Sequence, residues 1–152
     1  MRDASGVPRL VPDTNVCLDL FVFEDSASAA LLAAVLAGEV QLITREDCRA
    51  EWLAVLAYPR LKLQEQRRLQ AAGTFDRYVQ CIPPADRGMP SGVALPRCRD
   101  RDDQKFLQLA WQAGAAALLT RDDELLRLAR RTQRDGLFAI LSPTAWRDAL
   151  SP

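Results

Sequence analysis

Short apolar runs alternate with longer helix-like segments along almost the whole chain, and this alternation constrains the fold more than any other feature. Apolar runs of this length, bounded by Pro, Gly, Asp or Asn, are typical of buried strands. They occupy residues 7–11, 40–43, 115–119 and 137–141. The remaining segments predict helices over residues 26–37, 44–57, 63–79, 103–113, 122–131 and 142–150.

Short strands separated by helices favour a parallel sheet that is covered on both faces. The chain has 152 residues, of which 49% are hydrophobic and 26% charged, and this size and balance suit one domain with a substantial core. We therefore expect a single α/β domain over residues 1–152, with a central parallel sheet of four to five strands flanked by helices on both faces.

The charge balance and the apolar stretches narrow the range of partners and locations. Twenty basic and 20 acidic residues give a formal net charge of zero, whereas proteins that bind nucleic acid by bulk charge are usually basic. No apolar stretch has the length of a signal-peptide core or of a membrane span. We expect a soluble, cytoplasmic protein without membrane contact.

The chain contains no histidine, which narrows its chemistry. Ser-His-Asp and Cys-His triads, histidine general bases and histidine-ligated metals are excluded. Any reaction must use carboxylates, hydroxyls, Cys, Lys or Arg. The cysteines form no C-x-x-C pair, so we expect no zinc site and interpret them as reduced, mostly buried side chains: Cys17, Cys48, Cys81 and Cys98.

Acidic residues recur where predicted strands end and helices begin. Right-handed crossovers place the strand ends that lead into helices along one edge of a parallel sheet, where ligands bind. Asp13 follows the first strand, and Asp122 follows the strand over residues 115–119. Asp103 opens the helix before that strand, and Glu51 lies about one turn into the helix after the second strand. We expect these carboxylates to face one pocket.

Two interpretations of these carboxylates are open from the residues alone. Carboxylates a few ångströms apart repel each other, and Mg²⁺ or Mn²⁺ relieves the repulsion because these cations prefer oxygen ligands. Such an ion also activates water and offsets charge on a phosphodiester without any histidine. Alternatively, Asp103 and Asp122 only cap helices, where free N–H groups and the helix dipole favour a carboxylate.

Four segments resemble, in the same order, the motifs of PIN-domain proteins, of the branch that includes toxin components of toxin–antitoxin pairs. They are VPDTNV at residues 11–16, RAEWLAVL at 49–56 followed by PRL at 59–61, CRDRDDQKFL at 98–107, and LTRD at 119–122. The resemblance implies a PIN fold and Mg²⁺- or Mn²⁺-dependent cleavage of single-stranded RNA by an endoribonuclease. It further implies a homodimer and inhibition by an antitoxin protein.

The resemblance also implies roles for individual residues. It makes one set of carboxylates both the metal ligands and the catalytic groups: Asp13, Glu51, Asp103 and Asp122. It makes Asn15 and Thr120 hydrogen-bonding residues that orient Asp13 and Asp122. In the third motif, Asp100 and Asp102 are the alternatives to Asp103 as the ligand.

Three positions depart from the pattern of the family: Pro12, Arg101 and Gln104. Pro12 removes an N–H donor from the end of the first strand, and Gln104 stands where the family often has another Asp. These departures support an alternative function, a catalytically weak PIN-like module that binds nucleic acid or protein. A phosphatase with Asp13 as nucleophile is disfavoured, because such enzymes typically need a second carboxylate where this chain has Asn15.

Basic residues near the motifs indicate how a substrate is held. Lys105 and Arg121 lie beside the proposed ligands, and we expect them to contact a phosphate. Two basic clusters, at residues 60–68 and 127–134, are candidates for a nucleic-acid surface, with solvated helix faces as the favoured alternative. Trp52 and Trp111 lie on apolar stripes and are expected in the core.

Overall fold

The computed structural model describes residues 6–84 and 94–150, which form an α/β fold around one five-stranded sheet. The strands are β1 (Arg9–Pro12), β2 (Gln41–Arg45), β3 (Val79–Ile82), β4 (Ala117–Leu119) and β5 (Ala139–Leu141). Neighbouring strands all pair in parallel, in the order β3-β2-β1-β4-β5. The predicted parallel sheet is confirmed. The Pro- and Gly-rich sequence over residues 83–99 predicts a long irregular stretch, part of which lies outside the described residues.

Helices connect the strands, because parallel neighbours need a crossover between them. They are α1 (Thr14–Phe21), α2 (Ala29–Leu36), α3 (Glu46–Leu56), α4 (Glu65–Tyr78), α5 (Gln104–Gln112), α6 (Asp123–Leu126), α7 (Ala129–Arg134) and α8 (Trp146–Leu150). Single turns of 3₁₀ helix occur at Ser26–Ser28, Pro59–Leu61 and Arg101–Asp103. None of these helices combines the length and the apolar character needed to span a membrane.

The strand order defines a switch point between β1 and β4. From β1 the chain builds outward through β2 to β3, and it then returns to the other side of β1 to form β4 and β5. In open parallel sheets, the crevice outside the carboxyl ends of the strands at such a point is the usual place for a ligand. The residues that follow β1 and β4 are therefore the expected place for a ligand-binding site.

Two elements are missing from the sequence prediction. The expected helix over residues 63–79 ends at Tyr78, and β3 follows it directly. β3 is an edge strand in which only Val79 is buried, so its sequence contains no apolar run. The Pro-Asp-Thr-Asn sequence at residues 12–15 predicts a turn after the first strand, but the residues after Asp13 form α1, in which seven of eight residues are buried. A helix buried on most sides lacks the amphipathic period that identifies a helix in a sequence.

Several helix ends also differ from the prediction. The sequence predicts a serine cap at the start of α2, but the 3₁₀ turn before α2 is capped by Asp25, whose carboxylate accepts from the Ala27 N–H at 3.1 Å. The sequence also predicts that Thr44 caps α3, but Thr44 lies inside β2. The helix expected over residues 122–131 is divided into α6 and α7, and the last helix begins at Trp146 instead of residue 142. Gly38 follows α2 with a φ of 74°, as a helix-terminating glycine does.

Alternate residues of the strands face two apolar layers, one on each side of the sheet. On one side, the Trp52 ring stacks on Phe75 with centroids 5.0 Å apart and meets Phe21 edge-on at 6.3 Å. On the other side, the core forms around Phe106 and its neighbours on α5. Trp52 is buried as predicted, whereas Trp111 is only partly buried at the margin of the second layer.

The cysteines are all free thiols. Cys17, Cys48 and Cys98 are buried as predicted, but Cys81 on the edge strand is exposed. Burial raises the pKa of the Cys17 and Cys48 thiols, so these two side chains act as small apolar residues and not as nucleophiles.

Candidate active site

Asp13 is the residue at which β1 turns into α1. It is 4% exposed, and its Oδ1 accepts from the Val16 N–H at 2.9 Å, which caps the helix. Its Oδ2 accepts from the Thr120 hydroxyl at 2.5 Å. These two bonds fix the carboxylate in place. Asn15, which the resemblance makes an orienting residue for this carboxylate, is exposed and provides neither bond.

Thr120 connects the residues that follow the two central strands. Besides donating to Asp13, its Oγ accepts from the Asp122 N–H at 3.0 Å. Asp122 in turn caps α6, because its Oδ1 accepts from the Glu124 N–H at 2.9 Å. Asp13 and Asp122 therefore cap helices and also line the same cleft, so a capping role does not prevent these carboxylates from facing a ligand.

Neither Pro12 nor Gln104 disturbs this arrangement. Pro12 lies in register with Leu119, and the N–H of Asp13 donates to the Leu119 carbonyl at 3.0 Å, so pairing of β1 with β4 continues past the proline. The Gln104 side chain accepts from the Cys98 N–H at 2.7 Å. This bond therefore fixes the backbone at Cys98, just before the acidic segment of residues 100–103.

The acidic segment itself forms a 3₁₀ turn before α5. Asp100 caps the turn, with its Oδ1 accepting from the Asp102 N–H at 2.9 Å. Asp103 stands at the N-cap position of α5 but makes no capping bond with its side chain. Its carboxyl group instead lies where burial raises its pKa and electrostatic interactions with Asp122 and Asp13 raise it further. Asp103 therefore links this segment to the carboxylates that follow β1 and β4.

Glu51 is held by two donors. The Thr14 hydroxyl donates to Oε2, and the Lys105 ammonium donates to Oε1 at 2.8 Å. The same ammonium donates to the backbone carbonyl of Asp102, so Lys105 joins α3 to the turn that carries Asp103. The sequence predicts that Lys105 contacts a phosphate, but here its ammonium group is bound to Glu51.

Arg121, the second cation expected to contact a phosphate, is also engaged. Its Nε lies 2.6 Å from Oδ2 of Asp19, and its Nη2 donates to Oδ1 at 3.1 Å. Asp19 lies on α1 and is 3% exposed. Burial raises the pKa of this carboxyl, and the charge of Arg121 opposes the shift. The pair fastens the loop that carries Thr120 and Asp122 to α1.

Two carboxyl groups of the cleft, those of Asp13 and Asp103, have pKa values raised by burial and by neighbouring negative charge. Burial raises the pKa of Asp13 to about 6, with the charge of Asp122 adding to the shift and the hydrogen bond from Thr120 opposing it. Burial also raises the pKa of Asp103, and the neighbouring Asp122 acts in the same direction. Because negative charge is unfavourable at this place, a bound cation would be stabilised there.

The four carboxylates nominated from the sequence all line one open cleft of about 260 Å³. The cleft is lined by Asp13, Thr14, Asn15, Glu51, Val55, Tyr58, Arg60, Asp100, Asp102, Asp103 and Asp122. These residues offer carboxylate, hydroxyl and amide oxygens, the donors that Mg²⁺ and Mn²⁺ prefer. Across residues 6–84 and 94–150, however, no three Asp, Glu, His or Cys side chains are arranged to hold a metal ion as they stand. The donor set fits such an ion in kind, and binding requires side chains to adjust.

Some residues of the site were not identified from the sequence. Asp19 has a recognisable signal, because it is the one acidic residue in the apolar run at 16–21. Tyr58 also has a signal in the sequence, because Glu51, Val55 and Tyr58 follow the i, i+4, i+7 spacing of a single helix face. All three residues line the cleft. The contact of Thr14 with Glu51 joins α1 to α3, and no local pattern indicates it.

The fold and the site together define an α/β protein with a carboxylate-lined cleft at the switch point of a parallel sheet. The family model PIN_3, described as "PIN domain", matches residues 9–124, and the chain belongs to the PIN-domain family. PIN domains are generally nucleases, which bind nucleic acid and typically use divalent metals. No curated protein matches the chain.

Proposed function

We propose that this protein is an endoribonuclease that hydrolyses single-stranded RNA with the help of Mg²⁺ or Mn²⁺. One observation carries the proposal. Asp13, Glu51, Asp103 and Asp122 come from separate elements of the chain and line one cleft at the carboxyl edge of the sheet. The PIN-domain match supports a nuclease, and RNA as the substrate is the finer part of the proposal.

In the proposed reaction, the carboxylates of Asp13, Glu51, Asp103 and Asp122 would hold the ion. When bound, the ion supplies Lewis-acid chemistry, which activates water at neutral pH and offsets charge on the phosphodiester. Hydrogen bonds within the protein orient its own carboxylates. Thr120 and Val16 donate to Asp13, and Lys105 donates to Glu51. Water adds to phosphorus, one carboxylate accepts its proton, and the bond to the leaving ribose oxygen breaks as that oxygen takes up a proton from solvent.

The test is cleavage of a fluorescent single-stranded RNA with Mn²⁺ present. Asp13→Asn should abolish cleavage and leave the protein folded, because the amide oxygen still accepts the capping hydrogen bond. Asp148→Asn, an equal change of charge at an exposed position of α8, is the matched control and should cleave like the parent. Full activity of Asp13→Asn would remove the catalytic assignment.

A catalytically weak PIN-like module that binds nucleic acid or protein is the second candidate. The observation that favours it is that, within the described parts of the chain, no three potential ligands stand ready to hold a metal ion. Titration of Mn²⁺ by calorimetry separates the two candidates. The enzyme requires saturable binding that Asp13→Asn weakens, and a module without a working site shows none.

We further propose that the protein is the toxin of a toxin–antitoxin pair and that it acts as a homodimer. The support for this role is the resemblance of the four motifs to that branch of the family. Expression of the parent should arrest growth of the host cell, and Asp13→Asn should not. Sedimentation analysis tests the dimer. Equal growth with both proteins would contradict the toxin role.

A further inference from the structure

One basic residue of the cleft has no carboxylate partner among the described residues. Lys105 and Arg121, which lie beside the acidic groups in sequence, are bound to Glu51 and Asp19. Arg60 is exposed, and it is the basic residue among those that line the cleft. Its guanidinium group makes no ion pair within residues 6–84 and 94–150, although acidic residues line the same cleft. Such a cation is available to an external anion.

An aromatic ring accompanies this cation. The Arg60 guanidinium carbon lies 5.4 Å from the centroid of the Tyr58 ring, and Tyr58 is 43% exposed. Both residues line the cleft together with Asp13 and Asp122. The exposed ring and the guanidinium group beside it therefore offer an external ligand both an aromatic surface and a positive charge.

The backbone between the two residues is well fixed. Tyr58 follows α3, the helix that carries Glu51, and Pro59 opens a 3₁₀ turn of three residues. The N–H of Leu61 donates to the Tyr58 carbonyl at 3.0 Å, and the N–H of Lys62 donates to the Pro59 carbonyl at 3.0 Å. Because these bonds and the proline ring close the turn, the backbone that carries Tyr58 and Arg60 is ordered before a ligand binds, which lowers the cost of binding.

We propose that Tyr58 and Arg60 form a nucleotide-binding wall of the cleft: the Tyr58 ring stacks on an unpaired base, and Arg60 contacts a phosphate. This inference rests on the proposed nuclease function and adds its substrate selectivity. A base reaches the face of a protein ring only when it is not stacked inside a duplex, so the wall selects single strands. Stacking on a ring tolerates any base, so the wall confers little sequence preference.

The first experiment measures binding of a short fluorescein-labelled oligoadenylate by anisotropy, in the Asp13→Asn background to prevent hydrolysis. Tyr58→Ala should weaken binding roughly 5- to 150-fold, the loss expected for one stacked base. Tyr58→Phe keeps the ring and should bind within about twofold of the background protein. On a strand of the same length with abasic sites, Tyr58→Ala should have no effect, because the phosphates are unchanged.

The second experiment follows the same binding as a function of salt. Loss of one phosphate contact lowers the slope of log K against log salt by about 0.7 for a single strand. Arg60→Gln should show this decrease, and Tyr58→Ala should keep the original slope. A mutation that only loosened the fold would not separate the two variants in this way.

Two results would overturn the proposal while leaving the nuclease function intact. One is equal binding of the oligoadenylate by Tyr58→Ala and by the background protein. The other is an unchanged salt slope in Arg60→Gln. If the background protein binds no strand and the parent cleaves none, the nuclease proposal itself fails, and the nucleotide-binding wall fails with it.

Discussion

Replacement of Thr120 by valine is the substitution that tests the described site most sharply. Valine has nearly the shape of threonine but no hydroxyl group. Thr120 is fully buried, and its hydroxyl donates to Asp13 at 2.5 Å while accepting from the Asp122 N–H at 3.0 Å. Thr120→Val therefore removes two hydrogen bonds between the residues that follow β1 and β4, with almost no change in volume.

The structure sets the magnitude of this effect. A hydrogen bond to a charged group contributes about 1.5–3 kcal/mol, and a buried donor left without a partner costs about 1–3 kcal/mol. Because the two terms overlap, we expect Thr120→Val to lower the free energy of unfolding by about 2–4 kcal/mol. The Thr120 bond also opposes the raised pKa of Asp13, so its loss should move that pKa further upward.

Urea denaturation and Mn²⁺ calorimetry together check this prediction. Residues that orient a ligand typically contribute a factor of about 10–100 to metal affinity, so Thr120→Val should bind Mn²⁺ that much more weakly. Thr120→Ser keeps the hydroxyl group and loses one methyl group, so it should lose only about 1 kcal/mol and retain the affinity. If the valine variant matches the parent in stability and affinity, Thr120 does not hold the site together.

Three further predictions follow from the contacts of the cleft. Because burial raises the folded-state pKa of Asp13 to about 6, its contribution to stability is present below about pH 4 and lost as the pH rises through 6. In a chelating buffer, the parent should therefore lose stability relative to Asp13→Asn over this range, and parallel pH profiles would contradict the assignment. Arg121→Gln leaves the Asp19 carboxylate buried without its partner and should lower the free energy of unfolding in urea by about 1–3 kcal/mol. The double variant Arg121→Gln with Asp19→Asn should recover part of this loss, because no unpaired charge remains buried. Lys105→Met removes a positive charge from the cleft, yet it should weaken Mn²⁺ binding by a factor of about 10–100, because Glu51 loses the donor that orients it. Unchanged or tighter Mn²⁺ binding would exclude a role of Lys105 in orienting Glu51.

The fold was largely predictable because its strands are apolar and its helices regular. The apolar runs at residues 7–11, 40–43, 115–119 and 137–141 overlap β1, β2, β4 and β5. The failures have a common physical origin. α1 is buried on most sides and β3 is exposed along an edge, so each lacks the contrast between an apolar and a polar face on which sequence interpretation depends.

The location of the candidate site could be predicted from the sequence, whereas the contacts of its basic residues could not. Strand ends and helix starts fix where Asp13, Asp103 and Asp122 lie, since parallel topology brings them to one edge. The partners of Lys105 and Arg121 could not be predicted in the same way. Which acidic residue each of these long side chains pairs with depends on distances in the folded chain. Their positions beside the proposed ligands in the sequence suggest phosphate contacts but contain no information about those distances.

The most direct test of the account is a crystal of the protein soaked in Mn²⁺ and examined for anomalous scattering. We expect a peak inside the cleft, within bonding distance of Asp13 and of at least one of Asp103 and Asp122. Soaked Asp13→Asn crystals should lack the peak or show it much weakened. A cleft without a peak at saturating Mn²⁺, or an ion bound only elsewhere on the surface, would contradict the claim that these carboxylates form a metal-dependent nuclease site.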